Sequence, residues 1–202
     1  MAEKNDLVTD DCLMDCLRRF DTVRRGLTVC PKDGSMLRPL ADSGLEMVDC
    51  YHTDADNFIG MREYVTAFAA INYAHSWIVC FTKLGLFDSA PGDDLFRMLK
   101  DTNSETGSAI TDEKMAKYID ITNRARKKIR IASPVRTFDR RLANQFLETS
   151  ETYFKDAVDY RNEGDYLRAF ASVNYAHAWL DGGARIGLFD VDGDDVLFTL
   201  YE

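Results

Sequence analysis

The sequence is written twice. Offset by 102 residues and without a gap, residues 51–89 align with residues 153–191 at 16 identities in 39 positions, and eight of those fall within eleven residues: AFAAINYAHSW (67–77) against AFASVNYAHAW (169–179). Both stretches run on to the same Gly-Leu-Phe-Asp, at Gly85 to Asp88 and Gly187 to Asp190. Upstream, the offset pairs Leu13 with Met115, Leu17 with Ile119, Arg24 with Arg126 and Leu27 with Ile129. A period this long is one whole unit rather than a solenoid repeat, so the chain must fold as two like domains. The expected division is a first copy at 1–99, a linker at 100–110 with the polar composition KDTNSETGSAI, and a second copy at 111–202.

Each copy carries three helical patterns. Leu13, Leu17, Phe20 and Leu27, then Met115, Ile119 and Ile129, recur at helical spacing over 7–29 and 111–131. Pro31 and Pro134 stop these helices, because a proline disfavours helix in the residue before it. Second helices are predicted over 39–59 and 137–161, and third helices from Glu63 and Asp165 to Gly85 and Gly187. Alternation with period two is missing, so no sheet is expected. The predicted fold is all-α: two tandem three-helix bundles packed as a pseudo-twofold dimer. The segments LFRML (95–99) and VLFTL (196–200) are expected to fold back onto them.

Composition excludes several classes. Twelve Phe, nine Tyr and two Trp supply too much apolar surface for a disordered chain, and a net charge of −9 excludes a uniformly basic nucleic-acid binder. The longest strongly apolar stretch, residues 67–81, contains Asn72, His75 and Ser76 and is shorter than a bilayer requires, so no membrane span is expected. An acidic start without an apolar core, and five cysteines, an odd number, lead to the expectation of a cytoplasmic protein with reduced thiols.

The third helices are apolar nearly all round and therefore central. Tyr73 precedes Trp77 by four residues, within stacking reach. Against this apolar surface stand Asn72 and His75, repeated as Asn174 and His177, on one helical face. A buried amide or imidazole without a partner costs about 1–3 kcal/mol, so these side chains form either an internal polar network or a ligand site. If the copies pack about a twofold axis, all four could line one pocket. Asp181 and Arg185 could add charge to that pocket from the second copy, Val79 standing in place of Asp181 in the first. A His177–Asp181 pair at four-residue spacing could orient an imidazole, but no nucleophile is spaced to meet it. No catalytic residue, cofactor or metal is assigned. Cys12 and Cys16 lack the spacing of structural zinc, and DVDGDD (190–195) puts Gly193 fourth rather than sixth for a calcium loop.

Basic charge gathers where the first helices end. Eight basic residues against Asp139 between 122 and 142 give a local balance of +7. Arg24 and Arg25, with Arg124, Arg126, Lys127, Lys128 and Arg130, are candidates for an anion or RNA patch, although no aromatic residue is interleaved between 124 and 136 for base stacking.

The second copy also resembles a known family. GDYLRAFASVNYAHAWLDGGARIGLFDV (164–191) is similar to the signature of the archaeal domain-of-unknown-function family 357, small helical proteins with a GDY-x-RAFAA-x-NYAH-x-WLDA pattern in their third helix. The first copy is a diverged version, with Arg62 and Glu63 for the Gly-Asp, Thr66 for the arginine at Arg168, and Val79, Cys80 and Phe81 for Asp and small residues. The resemblance implies compact helical domains and an archaeal cytoplasmic source, and it carries no activity. The expected function is a non-catalytic interaction or scaffold protein with a protein partner, possible self-association and no membrane. The alternatives are an RNA-associated protein using the basic helix ends and a small-ligand binder using the Asn/His network.

Overall fold

A computed structural model describes residues 4–90, 92, 94–95, 99 and 107–200. In chain order its elements are β1 (Leu7–Val8), α1 (Asp10–Gly26), β2 (Thr28–Val29), α2 (Arg38–Gly60), α3 (Tyr64–Lys83) and β3 (Phe87–Asp88). The second copy follows with β4 (Ser108–Ala109), α4 (Asp112–Lys128), β5 (Arg130–Ile131), α5 (Phe138–Glu163), α6 (Tyr166–Arg185) and β6 (Phe189–Asp190). The two halves repeat at the offset of 102 down to their caps. Thr9 accepts a hydrogen bond from the Cys12 N–H and Thr111 from the Lys114 N–H, both at 3.1 Å, so each first helix is capped by the same residue. Arg38 and Arg140, also equivalent, reach back to the carbonyls of Pro31 and Ser133. Gly164 ends α5 in the left-handed conformation at φ 85, which a residue without Cβ adopts freely.

The expectation of no sheet is corrected by three two-stranded antiparallel ribbons among the described residues. Thr28 pairs with Asp88 and Val29 with Phe87, and Arg130 pairs with Asp190 and Ile131 with Phe189 in the same register. Each ribbon ties the exit of a first helix to the exit of a third helix, which shortens the first helices at their ends. Two residues are too few to show a period in sequence. The third ribbon joins the copies, pairing Leu7 with Ala109 and Val8 with Ser108. The Asn5 N–H donates to the Gly164 carbonyl at 2.9 Å, and the Leu167 N–H donates to the Asn5 carbonyl at 3.1 Å. Residues 5–8 are thus part of the structure, with Val8 fully buried. Within the 100–110 segment, Ser108 and Ala109 pair with β1 and Ile110 is buried, while 100–106 lie outside the described residues.

The core sits on α3 and α6. Every residue of α3 from Ala67 to Phe81 is buried, and α6 is buried over most of its length. By length and composition α3 could cross a membrane, at mean hydropathy 1.2, but 89% of its apolar window lies inside the protein, as in a core helix. A methyl at Gly182 would stand 3.3 Å from the Cys80 sulfur and 3.9 Å from Trp77, so this glycine lets the two central helices approach. Leu95, Leu99, Leu197 and Phe198 are buried, so the described parts of both tail segments lie on the bundle; 96–98 are outside the described residues.

Aromatic packing differs from expectation in one respect. Tyr73 meets Tyr51 of α2 edge to face at 4.5 Å between centroids, and Trp77 meets Phe81, one turn further along α3 itself, at 5.5 Å. The equivalent pair Tyr153 and Tyr175 lies at 5.2 Å.

Candidate functional site

The two copies exchange one pair of side chains. His75 Nδ1 lies 2.7 Å from the hydroxyl of Tyr175, their rings 6.1 Å apart, and the counterpart rings of Tyr73 and His177 lie 6.3 Å apart. The same two residue types meet twice with the copies interchanged, which is the contact pattern of a twofold-related interface. Tyr175 also accepts a hydrogen bond from the Leu95 N–H at 3.1 Å, leaving its own hydrogen for His75 Nδ1.

The symmetry breaks at Asp181. At the second of the two meetings the Tyr73 hydroxyl donates to Asp181 Oδ2 at 2.6 Å instead of to a histidine, and Asp181 Oδ1 accepts the Thr199 N–H at 2.6 Å. Burial, followed by the charge of Asp181, holds the Tyr73 phenol well above its ordinary value. His177 is left to other partners: Nε2–H donates to the Leu197 carbonyl at 3.0 Å, so Nδ1 is the acceptor facing Thr122 Oγ1 at 3.4 Å. Burial lowers the His177 pKa against the pull of Asp181 and the Leu197 carbonyl, and the ring is held neutral. The spacing-based His177–Asp181 pair is therefore not formed, since Asp181 spends its oxygens on Tyr73 and Thr199. Arg185 turns instead to the first copy, donating to Ser43 Oγ at 2.6 Å and to Glu46 at 3.4 Å.

Asn72 and Asn174 each donate to the carbonyl four residues back, Phe68 at 2.8 Å and Phe170 at 2.7 Å. The four polar residues do not line one pocket. Asn174 and His177 line a cleft of about 790 Å³ between the copies, whereas Asn72 and His75 are fully buried, the Asn72 Oδ1 without a partner among the described residues. The cleft takes one wall from Tyr51 and Asp54 of α2 and Thr66 and Tyr73 of α3. Tyr118 and Thr122 of α4 form another, and residues 195–200 of the tail border it. Such a volume is in the range that holds a small molecule.

Sequence reasoning missed these wall residues, yet a signal was there. At the offset of 102, Thr122 stands where the first copy has Phe20 and Tyr118 where it has Cys16. Phe20 is fully buried, so the second half has exchanged a core ring for a hydroxyl on the cleft wall. Asn174 is 5% exposed, and its Oδ1 has no protein donor among the described residues. The Tyr118 hydroxyl likewise has no hydrogen bond among them, and burial raises its pKa.

The basic helix ends are largely spoken for. Arg24 forms a two-pronged pair with Asp49 at 2.7 and 2.9 Å. Arg126 pairs with Glu151 and lies over the Phe154 ring at 4.4 Å, while Lys128 reaches Asp194 at 3.5 Å, Arg130 reaches Asp190 at 3.6 Å and Arg124 reaches Asp120 at 3.9 Å. Arg25 and Lys127 are exposed. Cys12, Cys16 and Cys80 are buried free thiols. Asp190 and Asp194 accept backbone N–H bonds in the turn before the tail.

A family model described as a protein of unknown function (DUF357) matches the chain twice, over residues 15–87 and 117–189, the same offset of 102. No curated protein and no solved structure gives a significant match.

Proposed function

The chain belongs to the DUF357 family through both of its halves, and because that family's description names no activity, we propose a function from the cleft itself: a helical binding protein that takes a small molecule between its two copies. One observation carries this reading. A cleft of about 790 Å³ is lined by Asn174 and Tyr118, whose Oδ1 and hydroxyl have no protein partner among the described residues. Those groups supply the few convergent polar contacts that orient a ligand against apolar walls. The basic patch supports RNA binding less well, because most of its side chains already pair with carboxylates.

The test is a metabolite screen by thermal shift on the full chain and on Thr122→Phe, which places in the cleft the ring that Phe20 places in the first copy. Compounds that stabilise the parent and lose their effect in the variant support the reading. Stabilisation that survives the filled cleft, or no stabilising compound, overturns it.

A second reading, protein interaction through the helical surface, rests on a different observation. Met36 and Phe138 occupy equivalent positions at the starts of the second helices and are 98% and 70% exposed. Loss of a copurifying protein on Met36→Ser with Phe138→Ser, with melting unchanged, supports it.

A further inference from the structure

We infer that the ligand of this cleft is an organic cation with an apolar body, a step that rests on the cleft being a ligand site. Among the described residues the lining contains two carboxylates, Asp54 and Asp195, and no lysine or arginine. Neither carboxylate forms an ion pair among the described residues, and both are exposed at the rim. An unpaired anion there attracts a positive charge and repels a negative one.

The two halves sharpen the point. Thr66 of the first copy and Ile121 of the second line the cleft where the positions related by the offset of 102 hold Arg168 and Arg19, so the lining lacks two cations that the symmetry-related positions carry. Two cations stand just behind the lining, each tied to one of its residues and each beside a carboxylate of its own. Lys114 donates to Thr66 Oγ1 at 2.9 Å beside Glu63, and Arg185 bonds Ser43, Glu46 and the Thr199 carbonyl. The buried Asp181 lies one hydrogen bond behind Tyr73.

The walls suit the same ligand. Tyr51, Phe58, Tyr73, Tyr118 and Phe198 contribute five rings, and a ring face attracts a cation through its quadrupole, the more so away from water. Asn174 adds an unpartnered carbonyl oxygen, an acceptor for an ammonium N–H, on a side chain only 5% exposed. Both nitrogens of His177 are occupied and its ring is neutral, so it adds no opposing charge.

The experiment compares three probes of one size on the full chain by ligand-observed NMR titration: benzyltrimethylammonium, its uncharged isostere neopentylbenzene, and 3-phenylpropionate. The cation is expected to bind about tenfold or more tighter than the isostere. Asp54→Asn with Asp195→Asn, both at exposed positions, is expected to narrow that ratio to about threefold while leaving the isostere's affinity unchanged. If the isostere or the carboxylate binds as tightly as the cation, the cation inference fails and the ligand reading stands. If none of the three binds, both fail.

Discussion

The hydroxyl of Tyr73 in the first copy donates a 2.6 Å hydrogen bond to the carboxylate of Asp181 in the second, where the symmetric counterpart, Tyr175, is bonded to His75. One substitution, Asp181 where the first copy has Val79, thus re-routes the polar contact of one half and frees His177 to border the cleft. Asp181 is fully buried with two donors, so removing it orphans both the phenol and the Thr199 N–H. Asp181→Val is expected to cost about 2–4 kcal/mol and Tyr73→Phe about 1.5–3 kcal/mol. Urea unfolding of both singles and the double should give a coupling of about 1 kcal/mol or more. Additive costs would mean that the bond does not join the copies energetically.

A second pair of positions trades volume between the halves. Gly44 on α2 lies against the Phe81 ring on α3, and a methyl there would overlap it; at the same offsets the second copy has Phe146 on α5 and Gly183 on α6. The bulk has changed sides. Gly44→Ala is therefore expected to destabilise by about 1–3 kcal/mol. Gly26→Ala, with open space around it, should be neutral or gain about 0.5 kcal/mol from helix propensity. The exchange Gly44→Phe with Phe81→Gly should be better tolerated than Gly44→Phe alone, measured as the urea midpoint.

These residues show what the sequence could and could not reveal. The helices were legible because apolar spacing, the proline stops and the repeated NYAH recur in both copies. The ribbons were not, since Thr28 and Val29 form a strand only by meeting Phe87 and Asp88, some sixty residues away. The cleft was legible only in part. Asn174 and His177 stood out as polar residues on an apolar helix, but the cleft itself comes from Thr122 replacing Phe20 and from a tail that crosses between copies. Both are facts about what is missing or distant rather than about local pattern. Asp181 stood out as well, yet its partner, Tyr73, lies 108 residues away and no spacing rule connects them.

The basic helix ends yield a prediction about stability rather than binding. Arg126 is held by Glu151 and covers the Phe154 ring, whereas Lys127 beside it is exposed. Arg126→Ala should cost about 0.5–1.5 kcal/mol, and Lys127→Glu should stay within about 0.5 kcal/mol of the parent. Thermal melts of the two variants check this. Equal effects would show that Arg126 is as free as its neighbour and return the cluster to use as a binding patch.

The histidine at the cleft sets a pH dependence whose sign is fixed by burial. Desolvation lowers the folded pKa of His177 below the value of about 6.5 that the unfolded chain has, so the unfolded state takes up the proton first on acidification. The contribution of His177 is therefore complete above about pH 6.5 and is lost as pH falls from there through the folded pKa, at about 1.4 kcal/mol for each pH unit separating the two titrations. His177→Gln keeps a side-chain N–H for the Leu197 carbonyl but cannot titrate. Between pH 7.5 and 5, the range about the ordinary histidine value, the parent should lose stability relative to this variant, so that their urea midpoints converge or cross on the acid side. Parallel midpoints across that range would mean that His177 titrates as an ordinary histidine, its burial relieved by water in the cleft.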